Sequence, residues 1–122
     1  MKSVFIKNLS RQAASQIQAE VCDSFTSRFL GLMFRKSIAE DQGILLVEGS
    51  DSRLNTSIHM FFVWTDLAVA WVNSDLEVVD TILAKAWRPF YAPAKPARYV
   101  IEFHPKRHGD FKPGDRVSFQ ND

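Results

Sequence analysis

At 122 residues, 46% of them apolar, the chain has material for one packed domain and little room for a second. A net charge of +1 excludes a global field that would draw in nucleic acid or an anionic membrane. The charge is unevenly spread: up to Ala84 there are seven Lys/Arg against ten Asp/Glu, and from Lys85 onward eight against four.

In chain order, SVFIKN (3–8) and IQAEV (17–21) read as two strands joined by a polar loop. Their apolar run at the N-terminus, Val4-Phe5-Ile6, is too short for a signal-peptide core, and no stretch has the length of a membrane span. With a single thiol, Cys22, no intrachain disulfide can form; with neither a signal-peptide core nor a span in this sequence, a cytoplasmic protein is expected. A helix is predicted over about 24–35, capped by Asp23 or Ser24. GILLVEG (43–49) has the glycine-bounded apolar run of a buried strand. SIHMFFVW (57–64), DLAVAWVN (66–73), EVVDTILAKAW (77–87), ARYVIEF (97–103) and DRVSF (115–119) complete the strands. Ser74-Asp75-Leu76 is a hairpin-sized gap, and Pro113-Gly114 fits the centre of a type II turn. The prediction is a mainly β, small single-domain β-barrel or β-sandwich spanning 1–122, with seven or eight strands and one short helix.

The predicted helix contains RFLGLMFR (28–35). At helical spacing Phe25, Phe29, Leu30, Met33 and Phe34 form its apolar side, while Arg28, Gly31 and Arg35 gather on the other. Glycine costs a helix about 1 kcal/mol relative to alanine, which suits a place of close approach. Two guanidinium groups beside a bare backbone suit a carboxylate or phosphate. They equally suit an ion pair with Glu48 or Glu102, which would make them structural braces.

The run Arg28, then Gly31-Leu32-Met33-Phe34-Arg35, then Gly43-Ile44-Leu45-Leu46, resembles the signature of the prokaryotic family called domain of unknown function 192. SIHMFFVWTDLAVAWVNSDLEVV, ARYVIEF and KPGDRVSF resemble its central block, a late strand ending at Glu102, and its closing turn. The likeness covers roughly residues 17–119. In the central block the chain departs from the family: Ala68 stands where many members have aspartate, and His59-Met60-Phe61-Phe62 replaces an Asn-Thr pair. The resemblance implies a compact, mainly β fold and no established reaction.

Chemistry-bearing residues are few. His59, His104 and His108 lack the spacing of a zinc site, so no metal is expected. P-loop and dinucleotide glycine patterns are absent, so no cofactor is implied. Cys22, next to Asp23, reads as a core thiol. Trp87-Arg88-Pro89-Phe90-Tyr91 and Trp64-Thr65-Asp66 are aromatic spots of the kind that anchor interfaces or stack on sugars. The competing reading is that Trp87 and Phe90 lid the end of a barrel.

These residues lead to a non-catalytic binding or accessory module. Arg28, Gly31, Arg35, His59, Trp64, Asp66, Trp87, Arg88 and Glu102 are its candidate contacts. Its ligand would be a small anion, a saccharide or a partner's peptide. The alternative is a hydrolase acting on a sugar or phosphate ester, with Asp66, Asp80 or Glu102 as base. A weaker alternative, nucleic-acid binding, would need Arg88, Lys95, Arg98, Lys106, Arg107 and Lys112 on one surface.

Overall fold

The computed structural model describes residues 2–11, 14–23, 38–60, 63–88 and 90–121. The helix expected over 24–35 lies outside the described residues. Seven strands run in chain order: β1 (Ser3–Asn8), β2 (Ile17–Cys22), β3 (Gln42–Ser52), β4 (Leu67–Val72), β5 (Val78–Ala84), β6 (Ala97–Phe103) and β7 (Val117–Asn121). A 3-10 helix, Pro105–Asp110, lies between β6 and β7. His104 caps it, its Nδ1 accepting from the Lys106 N–H.

The strands form one sheet in the order β5-β4-β6-β3-β2-β1-β7. β2 and β3 are parallel, and every other neighbouring pair is antiparallel. The chain is therefore mainly β, as its alternating runs predict, but the sheet is not closed into a barrel. β5 and β7 are its two edges, yet Glu77 bridges Arg116. The sheet is thus curled until its edges meet at one corner, and the pairing stops there.

Curling gives the sheet an inner face. Val4 and Ile6, Ile17 and Ala19, Leu45, Ala68 and Ala70, Val78, Ile101 and Phe103, and Val117 fill it, so all seven strands contribute. β4 has all six residues buried, so its outer side is covered too. There Leu67, Val69 and Trp71 pack with Ile44, Leu46, Val100, Ile58, Met60 and Val63. Gly43 marks where β3 and β6 press together: a Cβ on it would come within 2.7 Å of the Glu102 carbonyl oxygen.

The outer cover comes from two antiparallel segments within 53–66 and 85–96, of which residues 53–60, 63–66, 85–88 and 90–96 are described; together these form a strap over the sheet. The strand expected at 57–64 belongs to this strap. Among its described residues Ile58 alone forms a β-bridge, to Tyr91. Its alternation is real, but the apolar side faces down onto β4 and its neighbours instead of pairing within the sheet. Trp71 pegs the strap to β4: its indole N–H donates to the Thr56 carbonyl at 2.7 Å.

The turns follow their sequence signals. Gly114 has φ +95°, and Asp115 N–H donates to the Lys112 carbonyl, as the Pro113-Gly114 pair requires. At the β4–β5 hairpin the Asn73 side chain accepts from the N–H groups of Asp75 and Glu77. Leu76 takes the left-handed position there, with φ +62°.

Asp115 ties the meeting corner. Its Oδ2 accepts from Asn8 Nδ2 (2.9 Å), Arg11 Nε (2.6 Å) and Lys112 N–H (3.0 Å). Its carbonyl accepts the Val78 N–H at 2.8 Å, joining β7's approach to β5. Burial pushes this carboxyl up, but the hydrogen bonds from Asn8, Arg11 and Lys112 and the Arg11 charge outweigh it, so its pKa falls below 3.8. A carboxyl with a lowered pKa stabilises the fold above its unfolded value and loses that effect as pH falls. Asp115→Ala should therefore cost about 2–4 kcal/mol in urea unfolding at neutral pH, with the gap to wild type shrinking in acid. A loss within about 0.5 kcal/mol, the range of ordinary surface changes, would contradict this role.

Candidate functional site

The candidate contacts divide into three groups. Arg28, Gly31 and Arg35 lie outside the described residues, and so does any pairing of the two arginines with Glu48 or Glu102. His59, Trp64, Asp66, Trp87 and Arg88 are all carried by the strap. Glu102 stands apart on β6.

The strap group is assembled by backbone hydrogen bonds. Ile58 and Tyr91 exchange two, at 2.8 and 2.9 Å. Met60 N–H donates to the Arg88 carbonyl, and Trp87 N–H donates to the Met60 carbonyl, both at 3.0 Å. Asp66 fixes the end of this ribbon: its Oδ1 accepts the Ala86 N–H at 2.9 Å, and its Oδ2 lies 3.5 Å from Lys85 Nζ. The Lys85 N–H in turn donates to the Tyr91 hydroxyl at 2.9 Å.

This framework holds an aromatic pair outward. The Trp64 and Trp87 rings meet edge to face with centroids 5.1 Å apart, while remaining 53% and 41% exposed. Phe90 is 57% exposed, so neither Trp87 nor Phe90 acts as the lid their size suggested. Tyr91 turns inward instead, packing against the outer core, with Arg88 stacked 5.5 Å over its ring. Trp87 has φ +66° at the third position of a turn closed by Arg88 N–H and the Lys85 carbonyl. That conformation belongs to glycine or asparagine, and a bulky residue there is an outlier. His59 is half-buried within the same segment.

Glu102 is 5% exposed on the outer face of β6, set between Ile44 on β3 and Val69 on β4. Both neighbours are apolar core residues. Among the described residues no cation or hydrogen-bond donor reaches its carboxyl. Desolvation alone pushes it up from 4.5 to about 7. Asp80, the other candidate base, is a structural cap: its oxygens accept from Thr81 N–H (2.9 Å) and Ala94 N–H (2.8 Å). Asp66 accepts from Ala86 N–H, Asp80 pairs opposite Trp71 and Glu102 opposite Val69. The cations named for nucleic-acid binding are also divided. Arg98 donates to the Glu48 carbonyl and stacks over Tyr99. Arg107 binds Asp110 and the carbonyls of Glu40 and Ser15.

Sequence reasoning missed Leu54 and Lys85 as parts of the exposed strap, and it missed the left-handed turn at Trp87. The run of prolines at 89, 93 and 96 signalled a rigid connection, but nothing in it marked which aromatic would face out. A shallow concavity of about 270 Å³ lies away from the strap. It is lined by Ser3, Gln18, Glu20, Ile38, Ala39, Gln42 and Gly43.

Glu102 generates a pH prediction. The folded chain keeps this proton up to about 7, whereas the unfolded chain releases it near 4.5. Between those values the folded state binds more protons, so stability falls as pH rises, by roughly 3 kcal/mol across the window. Glu102→Gln should remove that slope in urea unfolding measured from pH 4 to 8. Parallel pH profiles for variant and wild type would show that the carboxyl is not desolvated.

Comparison with known proteins gives a consistent result. The model of the family DUF192, described as "Uncharacterized ACR", matches residues 6–119. A UPF0127 protein of Pyrococcus furiosus is 38% identical over 95 residues, 78% of each chain. One from Thermococcus kodakarensis is 39% identical over 97 residues, which cover 80% of this chain and 60% of that protein. A crystal structure from Sinorhizobium meliloti, described as a candidate transcription regulator, superposes with a TM-score of 0.82. It is 21% identical, over 97% of this chain and 92% of that one, which shows the shared fold alone. The chain belongs to the DUF192 family, which is uncharacterised, and nothing in these relatives shows catalysis.

Proposed function

We propose that this member of the DUF192 family is a small non-catalytic binding module, and that its recognition surface is the rim formed by Trp64, Trp87 and Arg88. The observation that carries this reading is the left-handed Trp87. A non-glycine residue in that region costs about 1–2 kcal/mol, and such strain is retained where a side chain has to be presented. Here the strain is borne by a tryptophan whose ring is exposed. Glycine would fit the turn without cost but present nothing.

Two indoles and a guanidinium suit a ligand that joins an anionic group to a flat or apolar one. A small anion, a saccharide with an acidic group, or a peptide of a protein partner meets that description. Nucleic acid fits less well, because Arg98 and Arg107 already hold backbone carbonyls. Within this reading Asp66 holds the strap, His59 is a further contact on it, and Arg28, Gly31 and Arg35 add a second anion-binding element. Glu102, 5% exposed between Ile44 and Val69, stands apart from this rim. No helix among the described residues is long and apolar enough to cross a membrane. The reading includes a cytoplasmic location, in keeping with the single, buried thiol of Cys22.

Thermal melting against inorganic phosphate, acidic and neutral saccharides, and acidic peptides tests the proposal, using wild type, Trp87→Gly, Arg28→Ala and Arg35→Ala. One ligand class should raise the melting temperature saturably in wild type and not in Trp87→Gly, which itself melts no lower than wild type. No shift with any compound, or an equal shift in Trp87→Gly, would overturn it.

A further inference from the structure

Resting on that reading, we infer that the strap's ligand is the surface of a lipid bilayer carrying anionic headgroups. The exposed large apolar side chains are not scattered. Of the six among the described residues, four stand on the strap: Leu54 (77% exposed), Phe90, Trp64 and Trp87. Ile58, Met60 and Val63 of the same segments pack in the core, so the four exposed side chains are not what holds the strap down.

The charge on this layer is one-sided. Residues 53–66 and 85–96 hold four Lys/Arg and a single carboxylate, Asp66, although the whole chain nets only +1. Arg53, Lys85, Arg88 and Lys95 are exposed. The carboxylates bordering the strap, Asp51, Asp66 and Asp80, each accept a backbone N–H, from Ser74, Ala86 and Ala94. Of the cations, Lys85 lies 3.5 Å from Asp66, Arg53 donates to the Pro93 carbonyl and Arg88 stacks on Tyr91, yet all three residues remain exposed, as does Lys95.

Tryptophan with leucine and phenylalanine tips, ringed by lysine and arginine, is the composition that partitions to the headgroup region of an anionic membrane. Indoles settle at the headgroup level, Leu54 and Phe90 reach the acyl boundary, and the cations meet lipid phosphates. A soluble acidic peptide would satisfy the cations, but it would leave the protruding Leu54 without an apolar counterpart. The bilayer supplies both. This is docking on a surface, and it needs no spanning segment.

The test is co-sedimentation of the full chain with vesicles of phosphatidylglycerol mixed into phosphatidylcholine, against phosphatidylcholine alone and against free inorganic phosphate. Tryptophan emission is followed in parallel, and because Trp71 is fully buried, a blue shift reports Trp64 and Trp87. Binding should require phosphatidylglycerol and weaken with added salt. Each neutralised cation should lower partitioning about five-fold, so the triple variant Lys85→Gln/Arg88→Gln/Lys95→Gln should lose about a hundredfold. Leu54→Ser/Phe90→Ser should lose the blue shift and most of the binding. Leu9→Ser, an exposed apolar change away from the strap, should bind like wild type. Absence of vesicle binding, or equal binding by both strap variants, overturns the inference. If inorganic phosphate or a saccharide then still gives a Trp87-dependent melting shift, the recognition rim stands and only the bilayer falls. If neither responds, both fall.

Discussion

β4 is buried along its whole length and on both sides, and the rest of the molecule is arranged around that requirement. One curled sheet can cover only the inner side. Its seven strands do so by curling around Ala68, Ala70 and Val72, with the corner tied at Asp115. The outer side, with Leu67, Val69 and Trp71, needs a second layer, and the described residues hold no further strand to build one. The strap is that layer. Being a single layer, it has a second face, on which Leu54, Trp64, Trp87 and Phe90 are exposed.

The strap's precision follows from how it is held. Trp71 reaches through from β4 to the Thr56 carbonyl, and Thr56 itself donates to the Ser52 carbonyl at 2.6 Å. Backbone bonds from Ile58 to Tyr91 and from Met60 to Trp87 and Arg88 then lock the two segments together. This locking fixes the turn in which Trp87 is forced left-handed. An aromatic pair presented this way is pre-organised, so binding need not order it first. The same framework explains why the chain's near-zero net charge is misleading. The carboxylates of this region cap backbone N–H groups, while Arg53, Lys85, Arg88 and Lys95 remain exposed.

Much of the fold was legible in the sequence because alternation reports burial directly. SVFIKN, ARYVIEF and the Pro113-Gly114 turn fall where their patterns place them. Segment 57–64 shows the limit of that signal. Ile58 and Met60 alternate as a strand's would, but alternation says only that one side is buried, not whether the segment pairs in a sheet or lies across one. The candidate site was half legible. Trp64, Asp66, Trp87 and Arg88 were singled out by residue type, and the strap brings them together. Their roles were not readable, because Asp66 as a backbone cap and Trp87 as a strained turn residue depend on partners some 20 residues away. Glu102 was singled out on alternation, and its apolar neighbours Ile44 and Val69 come from two different strands. GLMFR was the most specific sequence signal, and its positions lie outside the described residues.

The account rests on the strap being a fixed second layer and not a loose loop, and native-state amide exchange measures that directly. The amides of Ile58, Met60, Trp87 and Tyr91, each hydrogen-bonded across the strap, should be protected to within about tenfold of the central β4 amides, because the strap and the outer core open together. Exchange of those four amides at rates close to those of an unstructured peptide, with β4 still protected, would mean that the strap detaches freely. A preformed recognition face on it would then be ruled out.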